Sequence, residues 1–97
     1  MTGANSPRLV FDYEYTEAFA YEAWARGQCG AVSVEMSDGR RYPVYFYDAE
    51  RLAQDLEEET KLGRPFLAEK GLIVLSEVTL ENMQKAVEFL ASQGFFA

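Results

Sequence analysis

The sequence predicts a small α+β domain: a mostly antiparallel sheet of roughly four to five strands, with about three helices packed largely on one face. Three observations carry that expectation. The stretch 32–47 forms a β-hairpin in which turn chemistry and face pattern agree. Segments of strand period alternate with segments of helix period, and each helical segment has a capping residue in front of it.

The hairpin register follows from comparing two turns. If Asp38 and Gly39 alone formed the loop, Val32, Val34 and Met36 would share a face with Arg41, Pro43 and Tyr45, and both faces would be mixed. A loop of Ser37, Asp38 and Gly39 puts the glycine in the left-handed conformation that it adopts cheaply. Val32, Val34, Met36, Tyr42, Val44 and Phe46 then line one face, and Ser33, Glu35, Arg41, Pro43 and Tyr45 the other, with Glu35 opposite Arg41. Pro43 falls at a non-hydrogen-bonded pair, so its missing N–H points away from the hairpin partner. The strand 41–47 is therefore an edge, or it is bulged or unpaired at Pro43.

Along the chain, residues 1–8 are expected to be a flexible lead and 9–97 a single domain. Leu9, Phe11, Tyr13 and Tyr15 alternate with Val10, Asp12 and Glu14, which predicts a half-buried strand. Thr16 caps a helix over 17–26 that ends at Gly27. Aromatic residues continue at odd positions through Phe19 and Tyr21, which also suits a longer strand; the alanine content favours the helix, with Tyr21 and Trp24 in the core.

After the hairpin, Asp48 is a good N-cap, and Leu52, Ala53, Leu56 and Thr60 give the next helix a narrow buried stripe that ends before Gly63. Glu57 and Lys61 are spaced as an ion pair worth about 0.2–0.5 kcal/mol. The stretch 66–69 suits a short strand. The continuously apolar 72–75 reads as a strand covered on both faces near the middle of the sheet.

Thr79 caps a last helix, with Val78 and Met83 spaced as a hydrophobic staple. Its buried stripe is Leu80, Met83, Ala86, Val87 and Leu90, and Gly94 stops it so that Phe95 lies back against Leu90. The order is β-α-β-β-α-β-α. Its first six elements fit the split βαβ arrangement called ferredoxin-like, although that arrangement puts the Pro43 strand inside the sheet.

Composition narrows function more than it defines it. A net charge of −7 with scattered Lys and Arg excludes nucleic acid and anionic membrane as expected partners. No apolar run is long enough for a membrane span, and the first residues have neither the basic nor the apolar part of a secretory signal, so cytoplasmic residence is expected. There is no histidine and no glycine-rich phosphate loop, and the single Cys29 reads as a small buried residue. Asp12 and Glu14 share a face but read as solvated carboxylates. No enzyme activity, metal or cofactor is implied.

The expected function is a non-enzymatic protein–protein interaction module. It takes the form of an acidic immunity- or antitoxin-like protein or adaptor acting on a basic partner, or of a chain that associates with itself. Candidate contact residues are Arg41, Pro43 and Tyr45 on the hairpin, the acidic run Glu57, Glu58 and Glu59, and the aromatic residues Phe89 and Phe96 outside the main stripes. The alternative is a small-molecule-binding regulatory domain, with its ligand near Tyr13, Tyr15 and Tyr42.

Overall fold

The computed structural model describes residues 7–96. Residues 1–6 of the expected lead lie outside the described residues, and Arg8 already belongs to a strand. The elements are β1 (Arg8–Phe11), α1 (Glu17–Arg26), β2 (Gln28–Glu35), β3 (Arg41–Asp48), α2 (Ala49–Lys61), β4 (Leu72–Leu75) and α3 (Leu80–Ser92). The four strands lie side by side in the order β1-β2-β3-β4. β1 and β3 each run antiparallel to β2, whereas β4 runs parallel to β3.

The sheet is therefore mixed rather than mostly antiparallel, and its strand order is not the ferredoxin-like one. The cause is α2, which carries the chain from the end of β3 back to the start of a neighbouring strand, the connection that makes neighbours parallel. Among the described residues there is no fifth strand; 66–69 is irregular.

The hairpin has the register its turn requires. Val32 lies opposite Val44, Val34 opposite Tyr42 and Glu35 opposite Arg41. Gly39, at φ 91°, donates its N–H to Met36 C=O at 2.9 Å, and Met36 N–H donates to Arg40 C=O at 2.8 Å. Farther along, the β2–β3 register shifts between Cys29 and Val32. The extra residue there is a bulge, and Ala31 takes it at φ 55°, a left-handed value that costs a residue with a Cβ. The bulge ends β1 as well: the ladder stops at Phe11 opposite Val32, beyond which Asp12 N–H donates to Ala31 C=O at 3.0 Å and the Tyr13 hydroxyl to Gly30 C=O at 3.4 Å. For this reason the alternation through Tyr13 and Tyr15 does not continue as a strand.

One face of the sheet carries the core. Val32, Val34, Val44, Phe46, Ile73 and Leu75 are buried there against Ala23 of α1, Met83 and Val87 of α3, and Val78 before α3. Phe46 and Met83 are the largest fully buried side chains, each contributing about 1.5–3 kcal/mol by leaving water. Among the described helices, α2 covers the other face. Tyr47 is buried there, outside that core, and its phenol is pushed to a higher pKa first by burial and then by the neighbouring Asp55 carboxylate of α2.

No residue of α2 is buried, so the expected stripe of Leu52, Ala53, Leu56 and Thr60 lies at best half-covered. β4 is an edge strand, not a central one, and Val74, which faces α2, is 49% exposed. Tyr21 and Trp24 are also exposed, because α1 docks through Phe19, Ala20 and Ala23; Trp24 Nε1–H donates instead to Glu77 at 2.8 Å. Lys61 pairs with Glu58 at 3.8 Å rather than with Glu57.

Three caps hold the helices at their expected starts. The side chains of Thr16, Asp48 and Thr79 accept from the N–H groups of Phe19, Arg51 and Asn82 at 3.1, 2.8 and 3.1 Å. Each such cap is worth about 1 kcal/mol.

Candidate functional site

β3 consists of two unlike halves. In a strand, alternate residues direct their N–H and C=O groups to opposite sides. Tyr45 N–H donates to Gly71 C=O at 2.9 Å, which fixes Arg41, Pro43, Tyr45 and Tyr47 as the residues facing the β4 side. β4 pairs only from Tyr45 to Asp48. Among the described residues no strand pairs with β3 beside Arg41, and at Pro43, whose prolyl nitrogen has no hydrogen to give, Gly71 abuts the strand without a ladder pair. Thus β3 is an interior strand that is unpaired on one side at Pro43.

Gly71 marks the exit of the chain from the sheet. Its φ is +83°, and a Cβ there would collide with the Pro43 carbonyl oxygen. Next to it is a groove of about 240 Å³ lined by Tyr42, Pro43, Lys70, Gly71, Phe95 and Phe96. Tyr42 and Phe96 stack at 5.6 Å between ring centroids, and Phe95 meets Phe96 edge-on at 5.1 Å. The Arg40 guanidinium lies 5.9 Å from the centre of the Tyr42 ring.

Charges on the α2 side of this end are tied to one another. Glu35 lies between Arg8 and Arg41 across three strands, bonded to Arg41 Nε at 3.2 Å and to Arg8 on its other oxygen. Hydrogen bonds from Arg8 and then Arg41 hold the Glu35 carboxyl below its usual range. Arg40 is held by Asp38, side chain to side chain, at 2.7 Å. Among the described residues, Lys70 makes no ion pair.

The other sequence candidates converge on the same end but not on one face. Arg41 and Pro43 are exposed and Tyr45 is half-buried, with its ring beside Gly30 of the bulge, where an added Cβ would come into contact with it. Since α2 delivers the chain to the start of β4, its last turns, with Glu57, Glu58 and Glu59, must lie toward Pro43. Glu57 and Glu58 are exposed, whereas Glu59 binds Arg64 at 2.6 Å. α3 returns along the core face to the same end, where Phe89 is 64% exposed.

Phe96 departs from expectation. It is 5% exposed and closes the core, while Phe95, expected to fold inward, is 53% exposed. Phe95 N–H bonds back to Leu90 C=O at 3.0 Å, so its backbone closes the helix and its ring stays outside. Sequence reasoning missed Lys70, Gly71 and Phe95 as groove residues; the Lys70-Gly71 turn directly before an apolar strand was the available signal.

A second cavity, of about 300 Å³, lies at the β2 bulge and includes Tyr13, Phe19, Glu22, Arg26, Cys29 and Ala31 in its lining. Burial pushes the Cys29 thiol up to about 11. Tyr15 packs near Tyr13 through a shared neighbour, Phe19, but Tyr42 belongs to the other cavity. Among the described residues, no group of three or more candidate ligands is placed to hold a metal ion, and no helix is long and apolar enough to cross a membrane. Comparison of the chain with known protein families, with curated proteins and with solved structures found no match.

Proposed function

We propose that this chain is a non-enzymatic protein-interaction module whose contact surface is the open end of the sheet. The observation that carries this reading is the unpaired half of β3 beside a groove walled by the exposed Phe95 and the half-buried Tyr42, since open edges and clustered aromatics are what partner proteins use. Glu57 and Glu58 add an acidic flank suited to a basic partner in an inhibitory or adaptor role. The buried, protonated Cys29 thiol and the lack of histidine favour binding over chemistry.

Affinity capture of partners tests the proposal. Recovery should fall several-fold with Tyr45→Ala and with Glu57 and Glu58 changed to Gln, relative to wild type. Equal recovery by all three proteins removes this surface from consideration. Light scattering over a range of concentrations tests the self-associating form, which a constant monomer mass rules out.

The bulge cavity favours a second reading, a regulatory domain for a small molecule. Backbone strain at a non-glycine residue accumulates at functional sites, and Ala31 stands at the wall of a cavity that Tyr13 and Arg26 also line. A metabolite that raises the melting temperature of wild type but not of Tyr13→Ala supports it; a broad library without such a compound counts against it.

A further inference from the structure

We infer that the open end takes an extended peptide, which lies beside Arg41 in the line that β4 leaves vacant and sets an apolar side chain in the groove and a carboxylate against Lys70. The inference rests on the reading that this end is a protein-contact surface, and it names the chemistry of the occupant.

The backbone supplies the first argument. Arg41 directs both its N–H and its C=O toward the vacant line, and among the described residues neither has a backbone partner there. A residue with both groups free on one side of a strand can exchange two hydrogen bonds with an added strand, the unit from which strand addition is built. The chain does not fill this line itself, because Gly71 turns it away and Leu72 N–H closes the turn on Glu69 C=O at 3.3 Å.

Side chains supply the second argument. Phe95, half-exposed, and Tyr42 wall a space of about 240 Å³, enough for one aliphatic or aromatic side chain. The one charged residue among those lining it, Lys70, is positive although the chain carries −7 overall. Lys70 makes no ion pair among the described residues and no carboxylate of those residues lines the groove, while Arg40, over Tyr42, is paired with Asp38. A lysine-rich segment would meet Lys70 unfavourably here, whereas a carboxylate is attracted. Basic partners are directed to Glu57 and Glu58 on α2, which flank this end from the opposite face of the sheet.

The test uses the full chain and short synthetic peptides with a central Phe or Leu, flanked in parallel sets by Glu, by Lys or by Ser, each with a free or an amidated C-terminus. The Glu set should bind about tenfold more tightly than the Lys set, and Lys70→Glu should reverse that order. Phe95→Ala should weaken every set while leaving the fold intact, because its ring is largely exposed. Bound peptide should slow hydrogen exchange at the Arg41 amide, which docking in the groove alone would not do.

Loss of binding on amidation identifies the carboxylate as a C-terminus, and indifference to amidation identifies it as a side chain; either result supports the inference. It is overturned if no set binds, if the Lys set binds best, or if the Arg41 amide exchanges unchanged. Self-association that excess Glu peptide fails to disrupt makes a second copy the occupant and overturns it too. Capture of a folded partner that still depends on Tyr45, Glu57 and Glu58, with no peptide bound, sinks this inference and leaves the broader reading standing.

Discussion

The two ends of β3 are each approached by a glycine, and the neighbour of that glycine differs. At the closed end, Asp48 N–H donates to Gly27 C=O at 2.8 Å, and the Asp48 carboxylate that caps α2 lies where a Cβ on Gly27 would be. At the open end, a Cβ on Gly71 would meet the backbone of Pro43 and Val44. Both glycines have positive φ, +70° and +83°. A side chain can swing aside at the cost of a helix cap, whereas a strand backbone held in a sheet cannot. The open end is thus the less tolerant of change in its own chain.

The largest effect that tests this contrast is Gly71→Ala, expected to cost about 3 kcal/mol or more, since left-handed strain and a backbone clash add. Gly39→Ala is its control, because Gly39 shares the left-handed backbone at φ +91° but has nothing within 4 Å of a Cβ. It should cost only about 1 kcal/mol by urea unfolding. Equal losses for the two would show that the Pro43 contact is soft.

Next comes Gly27→Ala, expected to cost about 2 kcal/mol by displacing the Asp48 cap. In Asp48→Ala the same glycine change should cost less, because the obstructing carboxylate is gone; full additivity in the double-mutant cycle would contradict the coupling.

Cys29 reports on the closed end, where it lies opposite Phe46. With its thiol raised to about 11 from an ordinary 9.0, alkylation of the folded protein near pH 8 should run at least ~100-fold slower than in denaturant. Comparable rates would mean that this end opens readily.

Glu35 gives the smallest effect and reports on the open end. Its carboxyl is held below the ordinary 4.5 in the fold, so the folded state favours the ionised form. The stabilisation is present above that pH and disappears as pH falls through the lowered folded value. Glu35→Gln should therefore be slightly less stable than wild type at neutral pH and equal to it in strong acid, while a gap that persists in acid would assign its role to packing.

Features set by neighbours in sequence were legible from residues alone. The hairpin register follows from Gly39 and the alternation around it, and Thr16, Asp48 and Thr79 cap helices whose first turns they precede. Features set by where an element lands were not. The apolar run of β4 suits a central strand, but the crossover through α2 sets it beside β3 at the edge, with Val74 half-exposed. The stripe on α2 has the right spacing, yet the helix lies over a face with little apolar surface to cover it. Ala31 takes a left-handed bulge position next to a glycine that does not, a choice made by pairing on both sides of β2.

The candidate site was half legible. Pro43 announced that pairing stops, because a missing N–H is a property of the residue. Which ring fills the space beside it depends on the path after Gly94, and there Phe95 and Phe96 exchange their expected places.

The ring nitrogen of Pro43 also has a protective consequence. An unpaired strand segment is ordinarily a template on which sheets grow and chains aggregate. Here a strand that extends past Arg41 finds no donor at the next outward-facing position, so growth is denied its second rung.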